Sequence, residues 1–413
     1  MEQKMSQNSG VAAYITVTAA YWAFMLTDGA LRMLVLLHFH TLGFSAIQLA
    51  YLFLLYEFMG IVTNLSAGWI AARYGLTFTL YVGLAIQIVA LVALSQLDPS
   101  WSVAGSVAFV MVVQGLSGVA KDLSKMSAKS AVKVLAPAEG GGLFRWVAIL
   151  TGSKNAVKGL GFLLGAGLLA VAGFQTAVWA MAAVLSVILI GTFLFMPPGL
   201  PKGKKSAKFS QVISKDANIN RLSLARMFLF GARDVWFVVG IPIYFYSVLS
   251  DGSAEGNRAA FFMIGTFMAV WIILYGLVQG LSPQILKAKD KSTPEVVNSA
   301  INWVAILTLI PLALAVAVWV EVPGLVYVVV AGLMLFGFVF AVNSSVHSYL
   351  ILAFTSEERV TMDVGFYYMS NAAGRLLGTL LSGVSYQVGG LPMCLFTAAM
   401  MAAASTLAAW RLR

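Results

Sequence analysis

From Gly159 to Pro201 the chain carries not one charged side chain, and from Val322 to Ser356 this happens again. Runs of that length leave few folds open. About 20 apolar residues cross the hydrocarbon core of a bilayer as a helix. The runs are continuous rather than alternating, which excludes a transmembrane β-barrel. Composition extends the argument to the whole chain: 60% of its residues are hydrophobic and 10% charged, against roughly 45–50% and 25% in a typical soluble domain. A soluble protein cannot hide that much apolar surface, so most of it faces lipid. A soluble enzyme and a nucleic-acid binder are thereby excluded. The single cysteine, Cys394, rules out a disulfide framework and any Cys-built metal site. The histidines His38, His40 and His347 form no HExxH pair. No metal and no cofactor is expected, and no nucleophile–base pair points to an intramembrane enzyme.

Turn and charge breaks divide the chain into twelve candidate spans: 14–39, 46–72, 77–97, 101–124, 145–172, 175–196, 222–249, 259–282, 295–319, 323–350, 361–388 and 391–410. The polar start, Met1–Gly10, has no signal-peptide pattern, so the amino end is expected in the cytoplasm. With that orientation the Lys and Arg between spans fall nineteen on the cytoplasmic side, and Arg258 alone on the other. That asymmetry fixes direction and parity, with both termini cytoplasmic. It also accounts for much of the net charge of +10 without an acidic partner. The one long polar connection, 197–221, is basic and punctuated by Pro and Gly. The organisation expected is a cytoplasmic tail over 1–13, a six-helix bundle over 14–196, a basic cytoplasmic linker over 197–221 and a second six-helix bundle over 222–413.

An internal repeat supports the division. Asn155–Gly165 aligns with Asn371–Gly383 six spans later, and Gly29-Ala30-Leu31-Arg32 with Gly231-Ala232-Arg233. Spacing of Gly161 and Gly165 suits close helix packing.

Six basic residues remain inside the spans: Arg32, Lys154, Lys158, Arg226, Arg233 and Arg375. A charge at the bilayer centre costs about 2.5–3.5 kcal/mol on insertion scales, so such residues face a bundle interior or water and take partners. The acids available within the spans are Asp28, Glu57 and Asp234. Asp28 and Arg32 lie one turn apart and can pair directly; Arg233 can neutralise Asp234. Lys158 and Arg375 have no acid beside them and stand out as ligand candidates. Arg226, near a cytoplasmic end, is either part of the site or a topological anchor. Glu57 either carries a proton or hydrogen-bonds as a neutral acid. Lys154 and Lys158 share a helix face, as do Asn371 and Arg375, and Arg226 and Arg233. The ladder Lys121, Lys125, Lys129, Lys133 forms one cationic stripe. Its last two members read as a solvated extension, while Lys121 and Lys125 reach the inner mouth and gather anions. Six interior cations against three acids leave a positive surplus that suits an anionic substrate: Arg grips phosphate bidentately and Lys acts as a movable point charge. The expected substrate-binding set is Arg32, Lys154, Lys158, Arg233, Arg375, Asn371, Lys121, Lys125 and Arg226. Asp28, Glu57 and Asp234 serve charge pairing or proton coupling.

Twelve spans, a six-plus-six division and a basic central loop resemble the major facilitator superfamily. Its loop after the second span usually reads G-x-x-x-D-R-x-G followed by basic residues. Here Gly68, Arg73 and Gly75 match, which implies a gating loop, while Ala72 replaces the acid and Leu76-Thr77 the basic pair. The runs Thr27–His40, Ala120–Ser130 and Arg145–Asn155 resemble ArsJ-type organoarsenical efflux permeases. That resemblance implies an all-α membrane protein of the major-facilitator type with 12 transmembrane helices, in the inner (plasma) membrane, acting as a monomer. Cavity-lining positions on spans one, five, seven and eleven follow from the same analogy. It implies export of 1-arseno-3-phosphoglycerate, made by a partner glyceraldehyde-3-phosphate dehydrogenase, with arsenate resistance as the outcome. One cysteine cannot grip trivalent arsenic, so arsenic would be handled as an oxyanion ester. The alternatives are a carrier of organophosphates or other organic anions without an arsenic role, and a proton-coupled drug exporter, which would want interior acids to outnumber bases. Export of a trianion from an inside-negative cell gains roughly 7 kcal/mol per 100 mV, so uniport suffices energetically, and antiport through Asp28, Glu57 or Asp234 stays open.

Overall fold

A computed structural model describes residues 2–135, 142–196, 214–286, 292–355 and 360–412. Most of the 197–221 linker and the basic residues Lys287, Lys289, Lys291 and Arg359 lie outside them, as do the side chains of Lys129, Lys133 and Arg145. The described residues are helical: α1 Glu2–Thr41, α2 Ala46–Tyr74, α3 Leu76–Leu94, α4 Val103–Leu135, α5 Gly142–Phe195, α6 Ala217–Val235, α7 Ile241–Leu249, α8 Ala254–Leu286, α9 Thr293–Trp319, α10 Leu325–Phe354 and α11 Val360–Trp410. A π-helical turn, Trp236–Gly240, joins α6 to α7. Among these residues ten helices are long and apolar enough to cross a membrane.

Two junctions between spans carry no loop, and two helices start earlier than the sequence reading placed them. Residues 145–172 and 175–196 are two helices, numbered together as α5, that meet without a loop where Gly173 takes φ 77° and ψ 173°, a conformation that strains any side chain. Spans 361–388 and 391–410 are likewise two helices, numbered together as α11 and separated at Gly389 and Gly390. The helix over the first span starts at Glu2, so the segment read as a tail is continuous with it. Helix α6 begins at Ala217, inside the segment read as linker, because the Asp216 carboxylate accepts from the backbone N–H of Asn218 at 2.8 Å and Ile219 at 2.9 Å.

Small residues decide which helices touch. A Cβ on Gly29 would stand 3.2 Å from the Gly161 Cα, and one on Gly161 would stand 3.1 Å from the Ala30 nitrogen. Helices α1 and α5 therefore cross backbone to backbone. The repeat recurs in space: a Cβ on Gly374 would stand 2.9 Å from the Met227 Cα, and one on Gly378 3.0 Å from the Gly231 Cα, so α6 and α11 cross the same way. Helix α5 also packs on α8, and α11 on α2. At those seams Gly159 approaches the Ala269 carbonyl and Gly383 approaches Ala46 and Ala50. Inside α6–α11, Trp236 meets Trp271 and Phe336 edge to face at 5.4 Å each, while the Trp271 indole donates to the Leu333 carbonyl at 2.8 Å. Large apolar side chains cover the outside: Phe193, Phe195, Trp319 and Tyr327 are mostly exposed, as lipid-facing residues must be.

Candidate functional site

One cavity of about 260 Å³ opens among α1, α2, α4, α5, α6, α8, α10 and α11. Arg32, Lys121, Lys125, Lys154, Lys158, Arg226, Arg233, Asn371 and Arg375 all border it. Glu57, Asp122 and Asp234 supply the acids on its wall, and Asp28 sits just behind, tied to Lys158. Eight cationic side chains thus face or adjoin four carboxylates, a formal surplus of four.

Pairing among these charges differs from what spacing suggested. Asp28 does not pair with Arg32. It accepts from the Tyr56 hydroxyl at 2.6 Å and from Lys158 Nζ at 3.1 Å. Arg32 reaches across to Glu57 at 3.0 Å, with its guanidinium 5.2 Å from the Phe53 ring centre and 5.5 Å from Tyr56. Both partners of each pair come from different helices, brought within reach by the α1–α5 crossing and by α2. Lys158 and Arg375 are not without acids either. Arg375 binds Glu57 Oε1 at 2.6 Å and Asp234 Oδ2 at 3.4 Å, and Asp234 also holds Arg233 at 2.5 Å. Glu57 is therefore not isolated on α2. Its Oε1 gathers two guanidiniums, one from α1 and one from α11, and so links α2 to α11 across the cavity. The crossings repeat this logic: α5 pairs with α1 through Lys158 and Asp28, and α11 with α6 through Arg375 and Asp234. Buried pairs of this kind contribute little net stability when complete, but leave a costly orphan when one member is removed.

The two members of the α4 cationic stripe with described side chains, Lys121 and Lys125, both border the cavity. Lys121 is 8% exposed, and its ammonium lies 4.1 Å from the Tyr56 ring centre. Lys125 pairs with Asp122 at 2.5 Å and donates to Asn64 Oδ1 at 2.7 Å. Arg226 is not a surface anchor: it is 5% exposed and held by Asn371 and Ser344. The loop residues stand apart from the cavity. Gly68 is on α2, Gly75 takes φ 95° where α2 turns into α3, and Arg73 lies 5.5 Å from the Trp69 ring centre.

Several polar residues in the cavity wall or behind it escaped the sequence reading. Tyr56, Asn64, Asn155, Gln279 and Ser344 carry hydrogen bonds that orient the charges. Their signal was a polar side chain inside an apolar helix, as at Gln279, but such residues also pack singly without function. The π turn adds Phe237 and Val238 to the wall. Its unsatisfied backbone finds a partner in α11, where Ser382 Oγ accepts from the Val239 and Gly240 N–H groups at 3.1 and 3.3 Å. No cluster of three or more His, Cys, Asp or Glu suited to a metal occurs among the described residues.

No family model matches the chain, and no curated protein sequence matches it. Solved structures do. A mutant of the nucleoside transporter NupG aligns with TM-score 0.70 at 16% identity, covering 98% of each chain. A POT family transporter in complex with a thioalcohol-conjugated peptide aligns with TM-score 0.72 at 13% identity, covering 96% of this chain and 94% of its own. The xylose transporter XylE from E. coli, in an inward-open conformation, aligns with TM-score 0.69 at 11% identity over 97% and 96%. The chain has the fold of these membrane transporters along nearly its whole length. Their identities are too low to carry substrate with them.

Proposed function

We propose that this protein carries an organic anion across the membrane by alternating access, and that the anion is 1-arseno-3-phosphoglycerate. The observation that carries the anion reading is the charge of the cavity: eight cations against four carboxylates around one small volume. A surplus of that size is unfavourable unless an anion or water fills the space. It suits a ligand with phosphate, arsenate and carboxylate groups, and repels a cationic drug. The arsenical itself follows from the sequence resemblance. On this reading α5 and α11 each cross twice, at Gly173 and at Gly389–Gly390, to make twelve crossings. Bundles 14–196 and 222–413, joined by 197–221, rock about the cavity with both termini in the cytoplasm of the inner membrane. The α2–α3 turn at Gly68, Arg73 and Gly75 serves as the gating loop. The protein acts as a monomer, and glyceraldehyde-3-phosphate dehydrogenase is its functional partner.

The test uses everted vesicles containing the protein, supplied with that dehydrogenase, arsenate and the triose substrate. Arsenic accumulation that requires the dehydrogenase is the expected result. Uptake of 3-phosphoglycerate without dehydrogenase-dependent arsenic uptake would retain an organophosphate carrier and discard the arsenical. Absence of both would discard the anion reading.

A further inference from the structure

The cavity cations are not equivalent. Arg32, Lys125, Lys158, Arg233 and Arg375 each touch a carboxylate. Lys121 and Arg226 have no carboxylate within 4 Å among the described residues; the Lys121 ammonium rests on the Tyr56 ring, whose hydroxyl donates to Asp28, whereas neutral groups alone hold Arg226. Its Nε donates to Asn371 Oδ1 at 3.2 Å, and its Nη1 to the Ser344 carbonyl at 2.9 Å and to Ser344 Oγ at 3.1 Å. The Phe230 and Tyr367 rings lie 4.1 and 5.0 Å from its Cζ. Nε and Nη1 are therefore committed to the wall. Nη2 has no protein acceptor among the described residues, and the side chain borders the cavity. Asn371, which spends its oxygen on Nε, keeps its amide donors on the same wall.

The acceptor that fixes Nη1 is itself fixed. Ser344 Oγ also accepts from Gln279 Nε2 at 3.2 Å, and Gln279 Oε1 accepts from Asn155 Nδ2 at 3.2 Å. The bonds run from Asn155 on α5 through Gln279 on α8 and Ser344 on α10 to Arg226 on α6, then to Asn371 on α11. A guanidinium pinned on two nitrogens offers the third in a set direction. A buried cation with only neutral partners gains most from a ligand that brings the missing charge.

We propose that Arg226 is the residue that receives the oxyanion group of the substrate, a phosphate-, arsenate- or carboxylate-type head, through Nη2 and the neighbouring Asn371 amide. Gln279 and Ser344 are positioning residues that set the plane of its guanidinium. Carboxylate-paired cations hold the helices and are not the principal ligands. This rests on the anion reading above and goes beyond it in naming which cation binds. Because Gln279 also bonds Asn155 on α5, the receptor is continuous across the α5–α8 seam.

The experiment measures affinity of the purified full chain in lipid nanodiscs for 3-phosphoglycerate and inorganic phosphate, with glycerol as the uncharged control, at constant ionic strength. Wild type is expected to bind the anions saturably and not glycerol. Arg226→Gln should weaken binding about tenfold or more, the worth of one charged hydrogen-bonded contact. Arg226→Lys, which keeps the charge and loses the fixed fork, should weaken it by a similar factor. Gln279→Met and Ser344→Ala should weaken it several-fold with the charge untouched, and Ser344→Thr should restore it. The charge-neutral pair Arg233→Gln with Asp234→Asn, on the same wall, should weaken binding less than Arg226→Gln does, and Lys215→Gln, exposed and away from the cavity, should stay at wild type. Wild-type affinity in both Arg226 variants, or an equal loss in the Arg233/Asp234 pair, would overturn the assignment. A wild type that binds none of the anions would overturn the anion reading and the assignment with it.

Discussion

Asp28 shows how a single buried acid takes its identity from neighbours far away in sequence. Spacing offers it Arg32, one turn along α1, yet Tyr56 of α2 and Lys158 of α5 occupy its oxygens. Both Asp28 and Lys158 are largely buried, so removing one strands the other. Asp28→Asn should cost about 3–5 kcal/mol of stability, whereas Asp28→Asn combined with Lys158→Met should recover most of it. Thermal unfolding in detergent reads the difference, and equal losses in both variants would contradict the pairing. Glu57 makes a second case: its Oε1 takes Arg32 and Arg375 together. Glu57→Gln should loosen α2 from α11, seen as faster hydrogen exchange along both helices around those positions. That these residues are charged and interior was legible in the chain. Who pairs with whom was not, because ion pairs form between helices while spacing reports only along one.

At the scale of elements, the repeat read from sequence is built into two crossings. Gly161 against Ala30, and Gly374 against Met227, let backbones approach where no side chain fits. Gly161→Val and Gly374→Val should each cost about 1–3 kcal/mol or more by overpacking, giving loss of monodisperse protein in size-exclusion chromatography. Gly191, with nothing within 4 Å of its would-be Cβ, is the contrast. Gly191→Ala should be neutral or stabilising by up to about 1 kcal/mol. The breaks at Gly173 and Gly390 lie between runs the sequence already separated, at 172–175 and 388–391. What it did not show was that the flanking helices meet there without an intervening loop.

For the whole molecule, charge distribution makes a prediction about sidedness. Cys394 is fully buried, so introduced cysteines can report without background. Ser100→Cys, in the exposed turn between α3 and α4, should react with an impermeant maleimide from outside the cell. Ser206→Cys, in the basic connection, should react only in everted vesicles. The reverse pattern would invert the topology. The positive cavity should also make binding of small anions fall as ionic strength rises, since screening weakens it.

The sequence by itself determined that the chain is a set of membrane helices, that it is internally duplicated, and that its interior is richer in cations than in acids. Each of those properties depends on residues counted along the chain, because a helix in lipid satisfies its own backbone and needs only length and apolarity. Tertiary structure alone decided that Glu57 bridges Arg32 and Arg375, that Lys158 belongs to Asp28, and that Arg226 is left with neutral partners. Those outcomes depend on how closely helices approach and at what height. Glycines such as Gly29, Gly161, Gly231 and Gly378 set that approach, and their partners stand more than a hundred residues away.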